Sequence, residues 1–302
     1  MIETLVEKIC IDLFSVPPVT IKRCSEGIGN YVFSVECLDR KYIIRCSGEM
    51  DAYQDTIYWL QQLKANCIPA PEIISHGFRD GYDYLVLSYL EGNDIGIIYE
   101  KLTANDKRTI AKEIVAIQKK ASRLKVKNLP ADWSWTAFVR DMLDRAEKRI
   151  AENGYFSVDK VQLLRREAEK LDDYFSAIKP VAYLDDISSK NLIIHDGHIS
   201  GVIDVDWIGI GDQLTYVALT NMALLNLGYC TDYVAYILDE MQVTCEQRRA
   251  FLFYTLMYCV DFMGERGTTF LDKTIAVNSQ IIEQLNSIFD MLWKEWTDIS
   301  QI

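Results

Sequence analysis

The chain has 302 residues, 49% hydrophobic and 25% charged, enough for a large core and for two lobes. Its 44 acids against 32 bases leave a net charge of −12, which argues against nucleic acid as a partner, because such binding needs basic patches. No apolar run approaches the ~20 residues needed to span a bilayer, so no membrane partner is expected.

Residues 1–14 carry apolar side chains at helical spacing (Ile2, Leu5, Ile9, Leu13). They include acids and lack a basic flank, which predicts a helix, not a signal peptide, and a cytoplasmic protein. The eight cysteines show no C-x-x-C spacing and no His/Cys cluster, so reduced thiols packed as small hydrophobes are expected, not zinc ligands.

Residues 19–23 read as a short strand. Gly27, Gly29 and Asn30 turn the chain, and residues 31–38 alternate as a strand does, Val32, Ser34 and Glu36 against Tyr31, Phe33 and Val35. Asp39-Arg40 turns it again into a strand at 41–46. Residues 51–65 predict a helix with Ile57, Leu60 and Leu63 on one face, ended by Pro69 and Pro71. Strands follow at 72–76 and, past the turn at Arg79-Asp80-Gly81, at 82–90. From about residue 104 the chain is mainly helical, at 105–119, 133–152 and 158–177 and again from Leu214 to the end.

A hairpin at 181–207 interrupts these helices and carries the chemistry. Asp186 and Asn191 stand five residues apart, Leu192 opens an apolar run, Asp196-Gly197 is a hairpin turn signal, and Val202 and Ile203 lead into Asp204. One carboxylate and one amide stand at the hairpin's entry, and another carboxylate at its exit. Hard oxygen ligands on a rigid hairpin suit Mg²⁺ with a nucleotide, because magnesium keeps waters and phosphates in its remaining positions. If strand alternation continues, Asp206 shares a face with Asp204. It is expected to bond backbone or water in the turn before Trp207, with metal or substrate contact as the alternative. His76, His195 and His198 are the only histidines, too few for a His relay or a His-based metal site.

The spacing resembles the kinase catalytic loop, Asp-x-x-x-x-Asn followed by a metal-binding Asp. In detail it resembles the aminoglycoside phosphotransferase and choline kinase family. There the loop typically reads His-Gly-Asp-Leu-x-x-x-Asn, and the metal strand reads Gly-x-Ile-Asp-Trp with a later Gly-Asp-Pro. The resemblance makes Asp186 the catalytic Asp, Asn191 and Asp204 the metal ligands, and Gly211-Asp212 the Gly-Asp. Leu184 stands for the family His, Asp185 for its Gly and Gln213 for its Pro.

The same resemblance implies an α+β, bilobal protein-kinase-like fold. A small antiparallel-sheet N-lobe (1–90) would bind nucleotide, and a larger, mainly helical C-lobe (91–302) would carry catalysis and the acceptor. Gly27 and Gly29 fall where the family covers the phosphates, and Arg45 where its third strand places a cation that reaches them; a guanidinium can hold phosphate bidentately. The backbone of Ser88 and Leu90 falls at the hinge that receives the base, with Leu87 behind it. The family pairs the strand cation with a Glu on the next helix. Tyr53 holds that position here, so Asp55 is the expected partner, with Glu49 and Asp51 nearby. Asp232, Asp261 and Glu265 are the candidate acids for acceptor amines, with Tyr233 and Trp293 as ring contacts.

The implied activity is transfer of the γ-phosphoryl of ATP or GTP, with Mg²⁺, to a hydroxyl of a small and cationic molecule. An aminoglycoside-like antibiotic is the first expectation; choline, amino sugars, macrolides and homoserine are the alternatives. Leu184 and the doubled Asp185-Asp186 leave open a nucleotide-binding regulator without turnover. A protein kinase is disfavoured, because Asp204 is followed by Val-Asp and no Ala-Pro-Glu segment follows.

Overall fold

The computed structural model describes residues 2–25, 30–127, 129–187, 189–270 and 273–299. The first elements in chain order are α1 (Ile2–Phe14), β1 (Thr20–Ser25), β2 (Asn30–Cys37), β3 (Arg40–Ser47), α2 (Gln54–Ala65), β4 (Ile73–Arg79) and β5 (Tyr82–Ser88). The two-residue β6 (Asn93–Asp94) and the single turn α3 (Ile95–Ile98) lead to α4 (Ala104–Ala121), α5 (Trp135–Asn153), α6 (Asp159–Ala168) and α7 (Asp172–Ala177). Next come β7 (Ala182–Tyr183), the hairpin β8 (Leu192–His195) and β9 (His198–Val202), and β10 (Gly209–Ile210). The chain ends with α8 (Leu214–Leu227), α9 (Asp232–Met241), α10 (Cys245–Glu265), the short pair β11 (Thr269–Phe270) and β12 (Lys273–Thr274), and α11 (Ser279–Ile299).

Two compact units result. The first comprises Met1–Asn93 and Leu192–Trp207, the second Asp94–Asn191 and Ile208–Ile302. A cut at residue 90 therefore needs correcting, because the β8–β9 hairpin belongs to the first unit. The Val202 N–H donates to the Pro69 carbonyl at 2.9 Å. Gly201 lies so near that carbonyl and Leu90 that a Cβ would stand 2.7 Å from the Leu90 side chain. Gly92, at φ 125°, leaves no room for a Cβ beside the Ile194 carbonyl.

The first unit is built on a five-stranded antiparallel sheet in the order β1-β2-β3-β5-β4. Leu5, Val6, Ile9 and Cys10 of α1 form one core with Phe33, Val35, Ile44, Cys46 and Val86 of the sheet. Alternation along β2 and β3 sends these side chains inward. β2 and β5 flank β3, so Arg45 stands opposite Val32 on one side and Leu85 on the other. α2 begins at Gln54 and not at 51, because Asp51 sits at φ 60° and a left-handed residue cannot continue a right-handed helix.

The second unit is helical. Thr103 with Asp106 and Thr244 with Gln247 form capping boxes that start α4 and α10, and Ser134 caps α5. α10 is buried on all sides from Ala250 to Val260 and packs against α5, α8 and α11. The helix expected over 158–177 is broken by a tighter turn at Glu169–Leu171, which rephases the chain and keeps Leu171 and Phe175 buried. The β11–β12 pair likewise interrupts the expected run of helices. Among the described residues no helix is long and apolar enough to cross a membrane.

Candidate active site

In the second unit the loop from Leu184 to Asn191 is held by side chains remote in sequence. Gln118, on the inner face of α4, accepts a hydrogen bond from the Leu184 N–H at 2.9 Å and donates to its carbonyl at 2.7 Å. Both residues are 1% exposed. The position where the family has His is thus an apolar anchor here, fixed through its backbone. The loop's far end is held by Asp94, whose carboxylate receives the Asn191 N–H and the Gly96 N–H, each at 2.8 Å. Gly96 must lack a side chain, because a Cβ would stand 2.5 Å from the Ser189 carbonyl.

Asn191 adopts φ 66°, a region asparagine tolerates better than most residues. Its side-chain N–H donates to the Asp186 carbonyl at 2.7 Å, which leaves the amide oxygen as the face available to a cation. The Asp186 carboxylate is partly exposed and pairs with Lys190 at 2.8 Å. Buried Tyr258 lies in the field of Asp185, Asp261 and Asp186, and its burial and these charges hold its hydroxyl well above the usual phenol range.

Asp212 is a scaffold acid. Tyr174 and Tyr254 donate to one of its oxygens at 2.7 and 3.0 Å, and the Leu214 N–H donates to the other at 3.0 Å. Burial still leaves its pKa raised. Gly211 before it sits at φ 133° against the Trp135 ring. Gln213, in place of the family Pro, stands at the N-cap position of α8 and makes no side-chain capping bond there.

The acceptor candidates differ in their surroundings. Asp232 pairs with Lys107 at 2.8 Å and bonds its own helix start; burial opposes its ionisation, but the pairing outweighs it and lowers its pKa. Tyr233 is buried, and Trp293 stacks on Phe289. Asp261 bonds Arg149, which also lies 3.7 Å from Glu265. Two acids thus lie beside one cation, and burial raises the pKa of both.

In the first unit Arg45 meets Asp206, not Asp55. Its two terminal nitrogens donate to the two carboxylate oxygens at 2.9 and 2.6 Å. The Thr56 hydroxyl donates to the same carboxylate at 2.6 Å. Partial burial raises the Asp206 pKa, but the bonds from Arg45 and Thr56 bring it below the usual range. The Tyr53 ring lies 5.1 Å from the guanidinium carbon. Asp55 is exposed, on the outer side of α2.

Asp204 and Asp206 do not share a strand. β9 ends at Val202, and Asp204 takes a left-handed φ of 58°, with its side chain exposed. At the end of β5 the Ser88 N–H donates to the Glu72 carbonyl at 2.9 Å, and its hydroxyl accepts from the Glu72 N–H at 2.8 Å. Leu87 is buried behind it, and among the described residues the Leu90 N–H meets no backbone carbonyl. Gly27 and Gly29 lie outside the described residues.

Sequence reasoning did not find Gln118, Asp94, Thr56 or Lys190. Only Gln118 carried a signal, as a polar residue among Ile114, Ile117 and Ala121 on the apolar stripe of α4. Among the described residues no three His, Cys, Asp or Glu side chains gather as a metal centre. Magnesium does not require one, since an amide oxygen and a carboxylate with phosphate and water suffice. Asn191 and Asp204 are of that donor type.

Residues 20–220 match the family model described as "Phosphotransferase enzyme family", so the chain belongs to that family. No curated protein sequence matches it. Among solved structures it is similar to a putative aminoglycoside phosphotransferase from Ralstonia eutropha JMP134, at 11% identity and TM-score 0.68 over 99% of this chain and 98% of that one. It is also similar to ADP-bound aminoglycoside phosphotransferase APH(2'')-Ib, at 12% identity and TM-score 0.65 over 96% and 97%. A third is a thermostable mutant of APH(4)-Ia in ternary complex with AMP-PNP and hygromycin B, at 15% identity and TM-score 0.64 over 98% of each chain. At such identities the likeness concerns the fold.

Proposed function

We propose that this member of the phosphotransferase enzyme family moves the γ-phosphoryl group of a nucleoside triphosphate to a hydroxyl of a cationic small molecule, an aminoglycoside-like amine first. The observation that carries this reading is the double latch on the loop, Gln118 at Leu184 and Asp94 at Asn191. It fixes the backbone on both sides of Asp186, and positioning is most of what phosphoryl transfer asks of a protein.

Asp186 orients the acceptor hydroxyl and takes its proton as the new P–O bond forms and the bond to the leaving nucleoside diphosphate breaks. Lys190 pairs with that carboxylate at 2.8 Å. Arg45 holds phosphate oxygens, and the Ser88 carbonyl and Leu90 N–H hold the base. The Asn191 amide oxygen and the Asp204 carboxylate are the oxygens offered to Mg²⁺, which when bound neutralises phosphate charge. Asp232, Asp261 and Glu265 are the acids offered to acceptor amines. The APH(4)-Ia neighbour, crystallised with a nucleotide analogue and hygromycin B, supports the choice of donor and acceptor class.

The test is formation of ADP from ATP and of GDP from GTP across a panel of hydroxyl acceptors with and without amines, with product phosphorylation followed by phosphorus NMR. Acceptor-dependent formation that needs Mg²⁺, fails in Asp186→Asn and weakens with Asp204→Asn is the expected result. Mg²⁺-dependent nucleotide binding with no transfer to any acceptor would favour a regulator.

A further inference from the structure

Arg45 lies between buried Ile44 and Cys46 on β3, its side chain is only 15% exposed, and among the described residues its one ion pair is with Asp206. α2 runs nearby but offers it no carboxylate. Tyr53, the residue before the helix, sets its ring 5.1 Å from the guanidinium carbon, and α2 itself presents the Thr56 hydroxyl to the Asp206 carboxylate. Asp206 completes the set, bridging the guanidinium and Thr56 across 161 and 150 residues of sequence.

We propose that Asp206 is the positioning residue for Arg45, a counter-ion carried on the turn that bears Asp204 and not on the neighbouring helix. This rests on the reading of Arg45 as the phosphate-binding cation. The carboxylate grips both terminal nitrogens and so fixes the guanidinium plane, and the Thr56 hydroxyl fixes the carboxylate. Two of the five guanidinium N–H groups are used; Nε is buried and meets no acceptor among the described residues. The guanidinium can therefore hold phosphate while still held by Asp206. Asp204 lies two residues away on the same turn, so β3, α2 and the turn hold together through one carboxylate.

The geometry gives a test that a merely structural acid would not pass. Thr56 ends on its β-carbon, whereas a glutamate there carries its carboxylate two carbons further, toward the place Asp206 fills. Thr56→Glu alone should weaken binding, because two carboxylates would then crowd one cation. Thr56→Glu in an Asp206→Ala background should restore it.

The experiment titrates the full chain with MgADP by calorimetry, measures the KM for ATP and kcat, and records thermal melts of every variant. Asp206→Ala and Asp206→Asn should each weaken MgADP by about tenfold, the worth of a hydrogen bond to a charged group. They should raise KM more than they lower kcat, and Thr56→Glu/Asp206→Ala should return to within about threefold of wild type. A folded Asp206→Asn with wild-type affinity overturns the proposal. So does a folded double variant no tighter than Asp206→Ala. Should the double variant not fold, the Asp206→Asn result decides. A wild-type chain that binds no MgADP removes the proposed function and this inference together. Loss of binding in Arg45→Ala but not in Asp206→Asn overturns the inference alone.

Discussion

Replacing Gln118 by Leu tests whether the loop latch does what its geometry implies. The residues are close in size, so the change leaves little cavity, but it removes both hydrogen bonds to Leu184. The Leu184 N–H and carbonyl are buried and would have no water to turn to. Each stranded buried group costs about 1–3 kcal/mol, so the loop should lose about 2–6 kcal/mol of local stability. At about 1.4 kcal/mol per factor of ten, exchange of the Leu184 amide hydrogen should speed up by at least about thirtyfold. Asp186 lies two residues downstream, and misplacing a catalytic group by about an ångström costs up to about a hundredfold in rate. Hydrogen exchange read by mass spectrometry, with kcat and nucleotide affinity on the same protein, is the assay. Fast exchange, a kcat reduced by tenfold or more and nucleotide affinity changed only a few-fold are expected. Unchanged Leu184 protection together with wild-type kcat would show that the amide is not what holds the loop.

Gly211→Ala should destabilise the second unit by more than about 2 kcal/mol, since it combines a left-handed backbone with a Cβ placed 2.1 Å from the Trp135 ring; urea denaturation measures it. The lowered pKa of Asp232 means that its pair with Lys107 contributes fully above the ordinary carboxylate value of 3.8 and fades as pH falls below it. The melting temperature of Asp232→Asn should therefore lie below wild type by a constant gap from about pH 5 to 8, and the gap should close on further acidification. A gap that widens in acid would reverse the assigned sign. Good acceptors should carry an amine and show kcat/KM falling with salt while kcat holds, because screening shortens the reach of the acidic field to about 8 Å at physiological ionic strength. An uncharged alcohol with salt-independent kinetics as the best substrate would refute that acceptor class.

The elements were legible where a local period or a turn residue set them. Alternation marked β2, the Asp39-Arg40 turn led into β3, Asp196-Gly197 marked the β8–β9 turn, and the 3.6-residue period marked α4 and α5. The misjudged edges share a cause. Asp51 at φ 60° delays α2, and the turn at Glu169–Leu171 divides the helix expected over 158–177. Both are backbone states that the hydrophobic pattern does not encode, since the apolar residues keep their faces on either side of the break. The assignment of the hairpin to the first unit was hidden for another reason. It depends on the Pro69 carbonyl receiving the Val202 N–H, a bond between backbone groups that no side chain announces.

The site divides along the same line. Asp186 and Asn191 could be found because their spacing sits inside one loop and the chemistry of a hard cation names the residue types. The groups that hold them could not, since Gln118 reaches Leu184 over 66 residues and Asp94 reaches Asn191 over 97. Arg45 shows why local reasoning then points the wrong way. The family pairing matched a cation on a strand to an acid on the next helix, and with Tyr53 at that position Asp55 was taken from the acids nearby. Yet Asp55 stays on the outer side of α2, while Thr56, one residue on, is buried and donates to a carboxylate 150 residues away. One residue along a helix is a rotation of about 100°, so the face that meets Arg45 belongs to Thr56. Asp206 was placed by strand alternation beside Asp204, but the chain leaves the strand after Val202 and turns at Asp204 through φ 58°. That single left-handed residue ends the alternation. Beyond it Asp206 pairs with the cation of β3, a partner that neither strand period nor helix step could have named.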